Sequence, residues 1–168
     1  MADLARSFQA VTAFVFDVDG VFTDGTIQVS ESGDLLRTMH IYDGYAVKVA
    51  IEAGYRVCVI TGGSSAGVRK RFSALGILDY YSGVIDKTEV LEAYAQRHAV
   101  DLSTALYMGD DLPDVGPMRC VGLACAPADA RPEALAVAQY VSPLAGGQGC
   151  VRDVIERVLK LNGQWPAA

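Results

Sequence analysis

Residues 13–20 read Ala-Phe-Val-Phe-Asp-Val-Asp-Gly, a short apolar run that ends in two carboxylates. An unbroken apolar run of this length is typical of a parallel strand buried on both faces. Asp17 and Asp19 are separated by one residue, and two like charges so close are costly unless a cation or a shared proton compensates them. The stretch therefore predicts a buried strand with chemistry at its carboxyl end.

Further apolar runs follow the first one and alternate with segments of helical spacing. The predicted strands are residues 56–60, 80–84, 105–108 and 121–124, with a last one at 139–142. The predicted helices are residues 46–53, 66–75, 88–98, 132–138 and 151–161. Regular alternation of strand and helix predicts an α/β fold with a parallel sheet.

A hairpin interrupts this alternation after the first strand. Residues 26–30 and 35–40 have strand composition and flank the turn Glu31-Ser-Gly-Asp34, so a hairpin is predicted over about residues 25–41. Its role stays open between a local flap at the sheet edge and a surface that covers a site or joins subunits. A glycine-rich tail is predicted over about residues 145–168. Since the sequence has no internal repeat or linker, residues 1–168 are expected to form one domain.

The composition argues against several classes of function. The chain has 168 residues, 51% of them hydrophobic, which suits one folded domain. A net charge of −6 and the lack of a Lys/Arg block argue against nucleic acid as a partner. The apolar stretches are too short for a bilayer and the N-terminus has no hydrophobic signal core, so a soluble cytoplasmic protein is expected. The four cysteines form no CxxC pair and are expected to be free thiols.

Other predicted strands also end in polar groups. Thr61-Gly-Gly63 follows the second strand, Lys87 comes shortly after the third, and Gly109-Asp-Asp111 follows the fourth. Ligands of open parallel sheets bind beyond the carboxyl ends of the strands, so these groups are expected to share one cleft. Together with Asp114 and the first carboxylate pair they supply five carboxylates and neither His nor Cys. Such an oxygen-rich set predicts magnesium rather than zinc.

These groups fit phosphoryl transfer. Asp17 can serve as the nucleophile, because aspartyl phosphates are known covalent intermediates. Lys87 supplies a point charge, and Thr61 with the amides of Gly62 and Gly63 supplies donors for phosphoryl oxygens. Taken singly, each feature has a plain structural explanation as a turn, a helix cap or a solvated side chain. Their joint placement after successive strands favours the functional interpretation.

The sequence resembles the haloacid dehalogenase superfamily of phosphotransferases. The stretches that match its four motifs are Phe16-Asp-Val-Asp-Gly20, Ile60-Thr-Gly62, Asp86-Lys87 and Gly109-Asp-Asp-Leu-Pro-Asp114. More narrowly, it is similar to the capless family that hydrolyses 3-deoxy-D-manno-octulosonate 8-phosphate (KDO 8-phosphate). The features that carry this narrower resemblance are residues 17–25 (DVDGVFTDG), the hairpin, Asp43-Gly44, Arg71, residues 75–77 and residues 146–152. The resemblance implies a Rossmann-like three-layer sandwich with a central parallel sheet and no cap domain.

The resemblance also implies a role for each residue of the site. Asp17 would attack phosphorus, and Asp19 would protonate the leaving oxygen and then activate water. Magnesium would be held by Asp17, Asp110 and the backbone carbonyl of Asp19, with Asp111 and Asp114 in support. The residues implied to bind the phosphoryl group or the sugar acid are Thr61, Gly62, Lys87, Asp43, Arg71 and Arg152.

The resemblance further implies how such a site is completed and used. Between Asp17 and Thr61 the chain has room only for the hairpin and one helix. The resembling family covers its site by forming a homotetramer through the hairpin, which favours an interface as the hairpin's role here. The implied activity is magnesium-dependent hydrolysis of KDO 8-phosphate in lipopolysaccharide precursor synthesis in the cytoplasm.

The sequence departs from the resembling family beside the pocket. The family commonly carries Arg after Ile-Thr-Gly, where it can meet the sugar carboxylate, and here that position is Gly63. Arg69, Arg71 and Arg152 are alternative partners for that carboxylate. A nine-carbon sugar acid 9-phosphate therefore stays open as the substrate. Two further alternatives are a catalytically silent tetramerisation domain and a response-regulator receiver, although the order of the motifs argues against a receiver.

Overall fold

A computed structural model describes residues 2–167 of the chain, and six of its strands form one parallel sheet. Its eight strands are β1 (Ala13–Phe16), β2 (Gln28–Val29), β3 (Leu35–Leu36), β4 (Arg56–Ile60), β5 (Asp79–Tyr81), β6 (Ala105–Met108), β7 (Leu123–Ala126) and β8 (Tyr140–Val141). The order in the sheet is β5-β4-β1-β6-β7-β8, and every neighbouring pair is parallel. The predicted parallel sheet is confirmed.

Helices connect these strands. They are α1 (Ala2–Gln9), α2 (Ile41–Glu52), α3 (Ala66–Leu75), α4 (Lys87–His98), α5 (Val115–Cys120), α6 (Pro132–Leu135) and α7 (Cys150–Leu161). Two 3-10 turns, Leu102–Thr104 and Leu112–Asp114, flank β6. Side chains fix where two of the helices begin: Ser65 accepts a hydrogen bond from Val68 N at the start of α3, and Asp86 caps α4.

Alternation along the strands divides the core into two layers. Phe14 and Phe16 of β1 face one layer, which contains buried residues of α1, α2, α3 and α7. Val15 faces the other layer, which contains buried residues of α4, α5 and α6. Because successive strand side chains point to opposite faces, an entirely apolar strand such as β1 packs against helices on both sides. The chain is therefore a three-layer α/β sandwich, as expected.

The sheet order reverses direction at β1. From β1 the chain first adds β4 and β5 on one side, and later adds β6, β7 and β8 on the other. Connections that diverge in this way leave a crevice at the carboxyl ends of the central strands, where ligands bind in open α/β sheets. The sequence places Asp17, Thr61 and Asp110 just beyond the ends of β1, β4 and β6.

The segment between β1 and β4 contains the predicted hairpin followed by α2. The hairpin pairs β2 with β3 in antiparallel register, over two residues in each strand. It is shorter than predicted, and both strands are exposed. Exposed two-stranded hairpins have few partners to hold them, so their pairing is short.

Some elements differ from the sequence prediction. The strand predicted at 121–124 lies at Leu123–Ala126 instead, because Gly122 packs against the backbone of Ser103 before the strand begins. Helices α1 and α5 were not predicted. Pro117 lies in the first turn of α5, where a missing N–H costs nothing, so proline does not prevent a helix there.

The cysteines match expectation. All four cysteines are free thiols, and Cys58, Cys125 and Cys150 are buried. Within residues 2–167, every helix is too short or too polar to cross a bilayer.

Candidate active site

A cavity of about 420 Å³ lies at the carboxyl ends of β1, β4 and β6. The sequence-predicted residues that line it are Asp17, Asp19, Thr61, Gly62, Gly63, Lys87, Asp110, Asp111 and Asp114. Four separate segments of sequence therefore meet in one place, as their positions after successive strands predicted.

The loop after β1 holds Asp17 at the bottom of this cavity. Asp17 is only 6% exposed, and its backbone N–H donates to Met108 O of the neighbouring strand β6. The Thr23 hydroxyl accepts hydrogen bonds from the N–H groups of Gly20 and Gly25 and so closes the loop on itself. This pattern explains why a threonine stands inside the sequence DVDGVFTDG.

Lys87 connects Asp17 to the loop after β6. Its Nζ lies 2.9 Å from Asp17 Oδ1 and 2.7 Å from Asp114 Oδ1, and the lysine side chain is 6% exposed. Burial on its own lowers the pKa of Lys87, but the two carboxylates outweigh burial and raise it. A protonated ammonium group therefore lies beside Asp17, placed there by the first turn of α4.

Asp114 is the most heavily hydrogen-bonded carboxylate of the site. It accepts from Lys87 Nζ, from the Tyr107 hydroxyl at 2.8 Å, and from the backbone N–H groups of Asp110 and Asp111 at 3.2 and 3.4 Å. A carboxylate with this many donors orients its neighbours and has little capacity left for a ligand. Sequence reasoning missed Tyr107, whose only signal is a hydroxyl inside an otherwise apolar strand.

Asp110 faces Asp17 across the cavity and is poorly compensated. Its Oδ1 is buried and lacks a hydrogen-bond partner. Burial first, and then repulsion by Asp17 and Asp114, raise the pKa of Asp110 to about 7. Burial and the charge of Asp114 likewise raise the pKa of Asp17 to about 6, against the effect of Lys87. Asp17 and Asp110 are thus buried carboxylates that repel each other, and a cation placed between them stabilises their charged forms.

The donor set fits magnesium. One oxygen each of Asp17, Asp110 and Asp114 lies within 4.8 Å of the others. Because Asp114 is already occupied by its hydrogen-bond donors, Asp17 and Asp110 are the two carboxylates of this group left for the ion. Oxygen ligands without nitrogen or sulfur are those that magnesium prefers. Gly20 lets the Asp110 carboxylate approach, because a Cβ at Gly20 would collide with that carboxylate. Gly20 also has a φ of 94°, which favours glycine.

Asp19 is held by a residue that sequence reasoning did not find. Arg37, just beyond β3 of the hairpin, donates from Nε to Asp19 Oδ1 at 2.7 Å and from Nη2 to Asp19 Oδ2 at 3.0 Å. Nothing in the local sequence distinguishes Arg37 from other charged hairpin residues, because the contact joins positions 18 apart. Both oxygens of Asp19 are thus engaged by the hairpin in the free protein.

The loop after β4 forms the wall opposite the acidic cluster. Thr61 is buried, and its Oγ1 accepts from Gly63 N at 3.2 Å while its own hydroxyl hydrogen stays free to donate. Backbone hydrogen bonds from Val84 N to Thr61 O and from Gly83 N to Gly63 O tie this loop to the one after β5. The wall therefore has a fixed shape and presents a hydroxyl to the cavity.

Three residues implied to bind the sugar acid do not line this cavity. Asp43 is fully buried, and its Oδ1 accepts from Arg152 N at 2.7 Å, which joins α2 to the N-terminus of α7. The Arg152 side chain bonds Glu156 at 2.8 Å and lies over the Trp165 ring. Arg71 packs in the space left by the missing side chain of Gly44. Within one chain, these residues support the packing of α2 against its neighbours.

Comparison with known proteins identifies relatives that cover nearly the whole chain. A family model described as haloacid dehalogenase-like hydrolase matches residues 68–152. A 3-deoxy-D-manno-octulosonate 8-phosphate phosphatase from Escherichia coli K12 is 34% identical over 163 residues, which cover 97% of this chain and 87% of the relative.

Solved structures agree with the sequence comparison. The phosphatase of the same name from Yersinia pestis superposes with a TM-score of 0.94 at 33% identity, and covers 96% of this chain and 88% of that one. The enzyme from Moraxella catarrhalis, solved with a magnesium ion, a phosphate ion and KDO, has a TM-score of 0.93 at 32% identity. That match covers 96% of this chain and 92% of the other.

Proposed function

This chain belongs to the haloacid dehalogenase-like hydrolase family, and from that premise we propose that it is a magnesium-dependent phosphatase that hydrolyses KDO 8-phosphate to KDO and phosphate. The observation that carries the proposal is the buried Asp17, which lies beside Lys87 Nζ at 2.9 Å and shares the cavity with Asp110 and Asp19. Relatives of at least 30% identity over nearly the full chain bear the name of this activity.

The chemistry runs in two steps on Asp17. A carboxylate oxygen of Asp17 attacks phosphorus, the bond from phosphorus to the sugar oxygen breaks, and the Asp19 carboxyl gives that oxygen a proton. Asp19 then takes a proton from water, whose oxygen attacks the phosphorus of the aspartyl phosphate. The bond from phosphorus to the Asp17 oxygen breaks, which releases phosphate and restores both carboxyl groups.

Other side chains bind and orient the phosphoryl group. Lys87 offers its ammonium group, and Thr61 offers its hydroxyl hydrogen, to the phosphoryl oxygens. Magnesium, when bound, neutralises negative charge on the phosphoryl group and on the acidic cluster. The residues that would hold it are Asp17, Asp110 and the backbone carbonyl of Asp19. Asp111 lines the cavity beside them, and Asp114 fixes the loop that carries Asp110.

The hairpin supports a homotetramer as the working form. Its apolar side chains are exposed to an unusual degree for residues of their kind, with Val29 at 70% and Leu36 at 55%. Exposed apolar patches of this sort mark sites of protein association. A hairpin pairing with copies of itself would bury these side chains and place a neighbouring subunit near the open cavity.

A charge placed in the hairpin tests this assembly. We expect Leu36→Glu to convert the tetramer to smaller species in sedimentation or native mass spectrometry, because a carboxylate in a closed apolar interface loses its hydration. Glu31→Gln, in the exposed turn of the same hairpin, is the matched control and is expected to leave the mass unchanged. A wild-type chain that sediments as a monomer at all concentrations contradicts the assembly.

The proposed place of the reaction follows from the substrate and the thiols. KDO 8-phosphate as substrate implies lipopolysaccharide precursor synthesis, and four free cysteines suit a reducing compartment such as the cytoplasm. Gly63 keeps a nine-carbon sugar acid 9-phosphate as the second candidate substrate, since the wall beside Asp19 is wider here than an arginine would leave it.

Phosphate release tests the activity directly. We expect magnesium-dependent turnover of KDO 8-phosphate that a chelator abolishes, with the longer sugar acid phosphate as the comparison. Asp17→Asn is expected to lower kcat by at least about 1,000-fold, because the amide cannot attack phosphorus. Preference for the longer substrate reassigns the substrate and keeps the mechanism. No turnover on either, together with a stable tetramer, identifies a silent assembly domain and refutes the proposal.

A further inference from the structure

Arg37 is a cation that contacts a residue of the cavity wall and that the reaction just described does not use. Its guanidinium reaches in from the hairpin and holds both oxygens of Asp19 at 2.7 and 3.0 Å. The side chain is 6% exposed, so its charge lies against the site and is not dispersed in solvent. Paired N–H groups in a planar fork bind planar oxyanions bidentately, and in this structure the anion on the fork is a carboxylate.

The glycine at position 63 makes room for this guanidinium. A Cβ at Gly63 would lie 3.3 Å from Arg37 Nη2 and 3.1 Å from Asp19 Oδ2, closer than most side chains tolerate. A larger residue at 63 and the Arg37 guanidinium would therefore compete for the same volume. Gly63 has no side chain, and the Arg37 guanidinium lies against the volume that a side chain there would occupy.

The other arginines near the site are already engaged. Arg69 donates to the Ser82 hydroxyl and lies over the Tyr80 ring. Arg71 packs into the space beside Gly44, and Arg152 is paired with Glu156. None of these three lines the cavity among the residues that the structure describes. Arg37 does not line the cavity either, but its guanidinium holds Asp19, which does, and lies beside Gly63. It is therefore placed to meet an anion that enters beside the phosphoryl group.

We propose that Arg37 binds the carboxylate of the sugar acid and thereby selects the substrate, with the substrate's carboxylate replacing that of Asp19 on the guanidinium. The inference rests on the proposed function, since it needs a substrate that carries both a phosphate and a carboxylate. The Asp19 carboxylate occupies, in the free protein, the place that the substrate's carboxylate takes. The exchange frees Asp19 to turn toward the leaving oxygen, so only a substrate with an acid group releases it.

Two substrates distinguish this role from a purely positioning one. Turnover of KDO 8-phosphate is compared with turnover of p-nitrophenyl phosphate, which has no carboxylate, in wild type and in Arg37→Ala. We expect kcat/KM for KDO 8-phosphate to fall at least about 30-fold more than kcat/KM for p-nitrophenyl phosphate, mainly through KM. Arg37→Lys is expected to recover only part of the loss, because an ammonium group cannot bind a carboxylate bidentately. Arg119→Ala removes an exposed arginine on α5 and is the control, with equal small effects on both substrates.

A compensating arginine gives a second, independent readout. We expect Gly63→Arg to lower activity in the wild-type background, where it collides with Arg37, and to raise kcat/KM for KDO 8-phosphate in the Arg37→Ala background. An equal loss on both substrates through kcat, with no compensation by Gly63→Arg, overturns the inference and leaves Arg37 as a positioning residue for Asp19.

Failure of the proposed function is recognised separately. If wild type cleaves p-nitrophenyl phosphate and the nine-carbon sugar acid 9-phosphate but not KDO 8-phosphate, the substrate assignment is wrong, and the same Arg37→Ala ratio with the longer acid decides the role of Arg37. If wild type cleaves p-nitrophenyl phosphate and neither sugar acid phosphate, then both the substrate assignment and the role of Arg37 are refuted.

Discussion

Replacement of Asp43 by asparagine is expected to give a free energy of unfolding that, relative to that of wild type, is higher at high pH than at low pH. Asp43 is fully buried, and burial is the main reason that its pKa is raised from the ordinary 3.8 to about 6. Its Oδ1 accepts from Arg152 N at 2.7 Å, and an asparagine oxygen can accept the same hydrogen bond. The substitution therefore removes the ionisable group and keeps the contact between α2 and α7.

The size and direction of the effect follow from the two pKa values. Because the pKa of the folded state is raised, this group's contribution to stability is complete below pH 3.8 and is lost as the pH rises through about 6. At 1.36 kcal/mol per unit, the cost of ionising Asp43 in the folded chain reaches about 3 kcal/mol at pH 8 and about half of that at pH 5. The difference in unfolding free energy, Asp43→Asn minus wild type, should therefore rise by about 1–2 kcal/mol from pH 5 to pH 8.

Urea unfolding of both proteins at the two pH values measures this difference. Any fixed cost of the new amide, such as an unpaired N–H group, is the same at both pH values and cancels. The KM for KDO 8-phosphate is expected to change less than about twofold, since Asp43 lies outside the cavity. An unfolding difference that is equal at pH 5 and pH 8 refutes the reasoning from burial, and a large rise in KM returns Asp43 to the substrate-binding residues.

Two further changes probe the charge balance of the site. Gly20→Ala places a Cβ against the Asp110 carboxylate, at a residue whose φ is 94°. We expect the magnesium affinity measured by calorimetry to fall at least about tenfold and the unfolding free energy to fall by about 1–3 kcal/mol, and an unchanged affinity would contradict the role of Gly20. Lys87→Met leaves Asp17 and Asp114 without their ammonium partner, so we expect a loss of about 3–5 kcal/mol of stability in chelator and a smaller loss in saturating magnesium. Equal losses in both conditions would show that the cation does not compensate these carboxylates.

The sequence was sufficient for the parts of the site that depend on strand ends. Asp17, Thr61 and Asp110 follow buried strands, and parallel strands bring their carboxyl ends to one edge whatever the details of packing. The helices α3 and α4 were predicted almost to the residue from the spacing of their apolar residues, and in the structure Ser65 and Asp86 cap their starts. Local rules sufficed wherever the signal was local.

Contacts between distant segments could not be found in this way. The pairing of Arg37 with Asp19 depends on where the hairpin folds over the sheet, and no local pattern encodes it. The strand after α5 begins two residues later than its apolar run because Gly122 packs on Ser103, another contact between separate segments. Arg71 and Arg152 were assigned to the site through resemblance, whereas their contacts lie with Gly44 and Glu156.

Because Arg37 belongs to a two-stranded hairpin, the assembly of subunits through that hairpin and the affinity for substrate would influence each other. Isolated two-stranded hairpins are marginally stable, so the position of this one depends on whatever packs against its exposed side. If a ligand that replaces Asp19 on Arg37 changes the free energy of the hairpin's position, a neighbouring subunit that fixes the hairpin changes ligand affinity by the same factor. In such a homotetramer the apparent affinity for substrate would therefore depend on protein concentration.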